Sequence, residues 1–365
     1  MISCFSSRVS RIIMHLYTVS VSGAGKKEDA MYPIIDMHCD TISKIWKRRK
    51  DGETVSLRKN DMHLDLLRMK QGGYLCQCFA LFTHLQHLRD AGQDPYEAAK
   101  ALSDTFDTEV AANPDLVRPV TTAEQILANQ KDGVISALKT IEEGAAYKGD
   151  PELVKTFYNM GVRKSTLTWN FENELAFPNR MTTDPDLGTP KMVPETEHGL
   201  KPAGKDVILL MEELGMLIDI SHLGDKGIFD IFDIVKNDTP VLASHSNARA
   251  VTPHPRNLTD EMLRLIADHG GVTGINFCIA FLNEDSDVSR VEDMIRHIRY
   301  IRNVGGIDMI GLGTDYDGIG GTLELKGGQD MQKLADALSL AGFTTGEIEK
   351  IFYKNVLRVY QSVLR

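Results

Sequence analysis

From Tyr32 onward, short apolar or β-branched runs alternate with longer stretches whose apolar residues recur every three or four positions. The runs are Pro33–His38, Tyr74–Phe82, Val134–Glu142, Arg163–Trp169, Met216–His222, Val241–His245, Val272–Phe277 and Met309–Asp315. Near-continuous apolar runs of this length predict strands covered on both faces. Amphipathic spacing predicts helices between them over Pro95–Ala112, Glu152–Met160, Lys205–Leu214, Thr259–Asp268 and Val291–Val304. Gly161, Gly215, Gly270 and Gly305 stand at four helix ends, where a residue free to take positive φ is favoured. Thr344–Leu364, opening Thr344-Thr345-Gly346-Glu347, reads as a capped closing helix. This alternation predicts an α/β fold, a single-domain (β/α)8 TIM-like barrel.

Two stretches stand outside the pattern. Asn170–Leu200, rich in Asn, Pro, Thr and Asp, is longer than an ordinary strand-to-helix connection, and loops after barrel strands are where substrate pockets are built. Residues 1–30 combine Ser-rich segments, an apolar patch over Ile12–Leu16 and a Gly/Lys/Glu-rich run. The patch, interrupted by Arg11 and His15, is too short for a secretory signal. The expectation is an N-terminal extension over 1–30, disordered or not native, with Met31 as the natural start, and the barrel domain over 31–365.

Composition narrows the function classes. A net charge of −10 disfavours phosphate backbones and anionic membranes as partners, because both reward clustered Lys and Arg. No apolar run is long enough to span a bilayer. The five cysteines, Cys4, Cys39, Cys76, Cys78 and Cys278, are an odd, scattered set without a C-x-x-C pair, which suits a reducing, cytoplasmic setting. Cys76 and Cys78 lie in an apolar run and read as buried thiols. A homodimer is allowed but not required by the sequence.

The candidate chemistry sits at strand ends, where barrel enzymes carry their active sites. The first strand ends Ile35-Asp36-Met37-His38-Cys39-Asp40, and two-residue periodicity puts His38 and Asp40 on one face, able to share a cation. Taken alone, such a pair is more often a satisfied polar contact. Glu142, His222 and His245 each close another apolar strand, and a buried polar ending needs a partner. The eighth strand, Ile310-Gly311-Leu312-Gly313-Thr314-Asp315, has glycines that permit close backbone approach while Asp315 enters the pocket. Asp317 fits a cap for the turn that follows. His15, His63, His84, His87, His198, His254, His269 and His297 show no converging partners and receive no role.

These segments, together with Asp219-Ile220-Ser221-His222, Ser244-His245-Ser246 and Gly313-Thr314-Asp315-Tyr316-Asp317-Gly318, resemble in order and spacing the renal (membrane) dipeptidase family. Leu167-Thr168-Trp169-Asn170-Phe171-Glu172-Asn173-Glu174-Leu175-Ala176 is similar to its bacterial members. The resemblance implies a metallo-dipeptidase with two Zn2+ per chain. His38 and Asp40 would hold one metal and His222 and His245 the other, with Glu142 bridging and Glu143 the alternative if the register slips. It implies that Asp315 manages protons beside a hydroxide shared by the metals, and that Arg256 binds the carboxylate of a dipeptide substrate, including one ending in a D-residue. The chain departs from the animal enzymes at Trp169, where they carry a substrate-contacting histidine, and Asn170 beside it is a candidate donor to the developing oxyanion. Cys278 stands where some relatives have tyrosine. N-acyl or lactone hydrolysis on the same scaffold is the nearest rival, against which Glu142 in place of a bridging lysine speaks. A phosphate-binding lyase or isomerase built on Gly311-x-Gly313 leaves the histidines unexplained.

Overall fold

The computed structural model describes residues 31–185 and 188–365; the expectations for residues 1–30 lie outside the described residues. Eight parallel strands, β1 (Ile34–Cys39), β2 (Tyr74–Phe82), β3 (Ile135–Glu142), β4 (Val162–Thr166), β5 (Leu217–Asp219), β6 (Val241–Ala243), β7 (Val272–Ile275) and β8 (Ile310–Leu312), pair in chain order. The ring closes through Asp36 of β1 against Leu312 of β8. Each expected run supplies one strand of the closed (β/α)8 barrel. A further strand, Val117–Val120, pairs with the first half of β3 while β4 takes the second half.

Helices follow the strands: α1 (Thr41–Lys50), α2 (Pro95–Ala111), α3 (Ala123–Asp132), α4 (Pro151–Asn159), α5 (Pro202–Leu214), α6 (Asp225–Ile234), α7 (Asp260–Asp268), α8 (Val291–Gly305), α9 (Gln332–Leu340) and α10 (Asn355–Val363). Helices α1, α3, α6 and α9 were not among those the pattern predicted. Basic residues crowd the last turn of α1, which nevertheless buries Ile42 and Ile45, and α6 is interrupted by acids yet buries Ile228, Ile231 and Phe232. The closing segment starts on a Thr344–Glu347 capping box, as expected, and passes through a π-helical turn at Lys350–Lys354 before α10. Of the four helix-ending glycines, three take positive φ; after α8 it is Gly306 that does so. Gly305 instead packs inward, where a Cβ would stand 2.0 Å from the Met309 sulfur.

Five strands, β4 to β8, stop earlier than their apolar runs. Asp219 accepts the backbone N–H groups of Ser221 (3.1 Å) and Ser244 (2.9 Å), and Asp36 accepts those of Thr314 (2.9 Å) and His38 (3.3 Å). These carboxylates capture donors that would have extended the ladder. Positive φ at His222 (70°) and Asp315 (60°) then turns the chain out of the extended region. His222, His245 and Asp315 therefore sit on short, tightly held loops just beyond the strands, whereas His38 and Glu142 remain within β1 and β3. Glycine is required where β7 and β8 approach the loop after β6: a Cβ on Gly274 or Gly313 would lie 2.0 or 1.7 Å from the Ser244 carbonyl oxygen. Cys76 and Cys78 are buried in an apolar cluster with Ile35, Met37 and α10, and the Cys78 sulfur lies 3.0 Å from the Tyr360 hydroxyl.

Within Asn170–Leu200 the chain forms an antiparallel ribbon, Arg180–Thr183 against Pro190–Val193. Its base is fixed by bridges of Ala176 with Leu200 and Pro178 with Leu223.

Candidate metal centre

Six side chains from five strand ends converge at the C-terminal face of the barrel. Glu142 stands between the imidazoles: one carboxylate oxygen lies 3.3 Å from His38 Nε2, the other 3.1 Å from His222 Nε2 and 3.7 Å from His245 Nε2. Asp40 approaches His38 Nε2 at 3.4 Å and Asp315 approaches it at 3.9 Å. The rings of His38 and His245 stack with centroids 3.9 Å apart, and the Nε2 atoms of His222 and His245 face each other at 3.0 Å. Glu143 faces away, accepting from the amides of Ala145 and Trp169 and from Asn173 Nδ2. It holds the start of the long loop, whereas Glu142 faces the histidines.

Several buried atoms in this cluster lack hydrogen-bond partners: both ring nitrogens of His38 and Oδ1 of Asp40. Buried polar groups left unpaired cost about 1–3 kcal/mol each, so their concentration at one point calls for a ligand. Two sets, His38/Glu142/His245 and His38/Asp40/Asp315, each have donor atoms within 4.8 Å of one another. Imidazole nitrogens with carboxylate oxygens at this spacing match the donor set of borderline divalent cations.

The electrostatics agree with a site built to receive positive charge. Burial, then the neighbouring Glu142 charge, raises Asp40 to about 6. Burial raises Asp315 to about 7. Burial would lower His38, yet the adjacent Glu142 and Asp40 carboxylates lift it well above the ordinary histidine range. Burial, reinforced by the charge of Arg256, lowers His222 to about 4, and burial holds His245 well down, so both rings stand ready as neutral donors.

A second set of contacts fixes these groups. Asn170 Oδ1 lies 2.9 Å from His222 Nδ1, and Ser244 Oγ lies 2.7 Å from His245 Nδ1. Asn170, expected to meet substrate, is thus placed behind a histidine ring, as partners of metal-bound imidazoles are. Asn276 donates to Asp315 Oδ2 at 3.0 Å. Beneath the site, Lys164 Nζ bonds Asp219 Oδ2 at 3.0 Å and the Met37 carbonyl at 2.8 Å, both groups fully enclosed. Burial disfavours both charges, but their mutual attraction prevails, holding Asp219 below and Lys164 above the ordinary range. Asp219 in turn holds the amides of Ser221 and Ser244, so one ion pair ties together residues adjacent to His38, His222 and His245. An aspartate within the apolar run Leu217–Ile220 was the sequence signal for this pair; Lys164 lies in the polar strand Val162–Thr166 and gave none.

Arg256 is buried and donates to Ser246 Oγ and the His245 carbonyl, both at 3.3 Å, leaving Nε unpartnered. Among the described residues it has no carboxylate in salt-bridge range. Asp317 does not cap its own turn: it accepts from Thr41 Oγ1 and from the amides of His63 and Leu64, tying the turn to the start of α1 and to the loop at 63–64. His63 supports the same turn by accepting the Asp317 amide. A cavity of about 840 Å3 opens over the cluster, lined by Asp40, Glu142, Asn170, His222, Cys278 and Asp315 at its floor. Trp169, Phe82 and His84 form an aromatic wall, with His84 4.9 Å and Phe82 5.0 Å from the Trp169 ring.

A parallel barrel with imidazoles and carboxylates gathered in this way at the C-terminal face defines a metal-dependent hydrolase. The chain belongs to the membrane dipeptidase family (peptidase family M19), whose sequence profile matches residues 29–364. It is accordingly a metallopeptidase, a hydrolase acting on peptide bonds. A Klebsiella pneumoniae protein known from the pqqA 5′ region is 34% identical over 264 residues, 70% of this chain and 92% of that one. The crystal structure of dipeptidase AC, an M19 metallopeptidase, superposes with a TM-score of 0.79 at 26% identity, covering 92% of this chain and 99% of the other. A metallopeptidase from Rhodobacter sphaeroides, liganded with a phosphinate mimic of L-Ala-D-Ala, gives 0.81 at 25% identity over 91% and 99%.

Proposed function

We propose that residues 31–365 form a zinc-dependent dipeptidase domain, preceded by the extension 1–30, that cleaves dipeptides including those with a C-terminal D-residue. The observation that carries this reading is the convergence of His38, Asp40, Glu142, His222 and His245 around unpartnered buried atoms. Glu142, with one oxygen toward His38 and the other toward His222 and His245, is suited to bridge two zinc ions. His38 and Asp40 would serve one ion, His222 and His245 the other. When bound, such a pair supplies acidification of a shared water and polarisation of the peptide carbonyl.

The chain's own residues do the rest. Asp315, beside His38 and steadied by Asn276, is placed to accept the proton of the attacking water and return it to the leaving amine. Arg256, a buried guanidinium with no carboxylate in salt-bridge range among the described residues, would offer a planar fork to the substrate's free carboxylate. That requirement favours cleavage next to a free C-terminus over cleavage of internal bonds in protein chains. Acceptance of a C-terminal D-residue is supported by the likeness to the Rhodobacter enzyme seen with an L-Ala-D-Ala mimic. The four described cysteines are free thiols, consistent with work in a reducing, cytoplasmic compartment.

Two measurements on the purified full chain test this reading: bound metal by elemental analysis, and hydrolysis of L-Ala-D-Ala beside its C-terminal amide. About two zinc per chain with cleavage of the free acid only is expected. Equal cleavage of acid and amide would remove Arg256 from its role, and N-acyl amino acid or lactone turnover without dipeptide cleavage would overturn the function.

A further inference from the structure

The cavity is in the size range that holds drug-sized ligands, more than a dipeptide backbone alone requires. One of its walls is α1, which begins directly after Asp40 and runs away from the metal cluster. Lys44 and Lys47 follow Asp40 by four and seven residues, so they lie on the same helix face about 6 and about 10 Å farther along the axis. Both line the cavity, Lys44 half-buried and Lys47 exposed. The same wall carries Arg48 and Lys50 but a single acid, Asp51. That is a local excess of positive charge on a chain whose net charge is −10.

The four cations differ in what already satisfies them. Arg48 pairs with Glu53 and Asp61. The Lys50 ammonium lies 4.3 Å from the centre of the Trp46 ring. Lys44 and Lys47 form no ion pair among the described residues; Lys44 acts electrostatically on Asp61 and His63, and Lys47 on His84.

Topology says which end of a substrate meets them. Arg256 stands in the loop after β6, whereas α1 and the Phe82–His84 wall follow β1 and β2, and β2 lies opposite β6 in the ring of eight. A dipeptide whose carboxylate rests on Arg256 therefore extends its amino-terminal residue toward α1. We infer that Lys44 and Lys47 form a subsite for an anionic side chain on the amino-terminal residue of the substrate. This deepens, and rests on, the dipeptidase reading.

The test compares kcat/KM for L-Glu-L-Ala, L-Gln-L-Ala, L-Ala-L-Glu and L-Ala-L-Gln on the zinc-loaded full chain, the Lys47→Met variant and the Lys44→Met/Lys47→Met double variant. The wild type is expected to favour Glu-Ala over Gln-Ala by about tenfold, mostly through KM, with no comparable preference of Ala-Glu over Ala-Gln. The Glu/Gln ratio should fall partway in Lys47→Met and to within about twofold of one in the double variant. It should also shrink as salt is raised, because a partly exposed ion pair is screened. A wild-type ratio near one, or a ratio that survives in the double variant, overturns the subsite while leaving the dipeptidase reading in place. Failure to cleave any of the four overturns both.

Discussion

The ion pair beneath the metal cluster provides a quantitative test of how this site is held. Replacing Lys164 by Met removes the only cation bonded to Asp219 among the described residues, in a position with almost no solvent access. Asp219 would then keep its two amide donors but lose its counter-charge, and the Met37 carbonyl would lose its donor. Breaking one side of a buried pair costs about 3–5 kcal/mol, because the remaining charge is left uncompensated. In a unit of this size that corresponds to a fall in Tm of roughly 4–8 °C. The double variant Lys164→Met/Asp219→Asn removes the orphaned charge while keeping an acceptor for both amides, and is expected to recover more than half of the loss. Since Met37, Ser221 and Ser244 each adjoin a metal-facing histidine, the single variant should also bind zinc at least tenfold more weakly in a chelator competition. Denaturant unfolding with and without metal separates the two effects. Wild-type stability of Lys164→Met within about 1 kcal/mol, or unchanged zinc affinity in a destabilised variant, would refute the idea that this pair organises the histidine loops.

Other changes follow from the same geometry. Gly318→Ala places a Cβ 2.1 Å from Asp40 Oδ2 and 2.5 Å from Asp315 Oδ1, so zinc affinity should drop about tenfold or more with the circular dichroism spectrum unchanged. Arg256→Gln should raise KM for dipeptides about a hundredfold, read from initial rates, because a charge-assisted contact to the substrate carboxylate is lost. His297 is buried, with Nδ1 accepting the Ala248 amide and Nε2 donating to the Leu282 carbonyl, and burial lowers its pKa to about 4. Its depressed value means that the native state holds fewer protons than the unfolded chain between about pH 4 and 6.5. Stability is thus fully present above about pH 6.5 and lost as pH falls toward 4, by up to about 3 kcal/mol. Unfolding curves across this range should be visibly flatter in His297→Gln, which cannot titrate.

Much of this architecture was legible in the chain because the two periodicities are strong. Each of the eight apolar runs became a barrel strand, and His38, Asp40, Glu142, His222 and His245 meet where the strand ends put them. The pattern was weakest where polar side chains replace ladder bonds. Nothing in an apolar run such as Met216–His222 says that Asp219 will stop the strand by taking the amides of Ser221 and Ser244. Asn170 lines the cavity where a substrate would lie, but its contact with His222 Nδ1 depends on a loop path that spacing does not encode. His84 had no visible partner in sequence; the pairing of β1 with β2 carries it to the cavity wall beside Trp169. Helix α1 was hidden by its basic last turn, the same feature that gives the cavity its cationic wall.

The central claim is that this barrel cleaves dipeptides through a zinc-loaded cluster. Amino-acid release from L-Ala-D-Ala, followed before chelation, after chelation and after zinc is restored, with His222→Ala as control, tests it most directly. The account predicts turnover that disappears with the metal, returns with zinc and never exceeds background in the variant. Turnover that persists in rigorously metal-free protein, or a folded, zinc-replete protein inert toward a broad dipeptide panel, would contradict it.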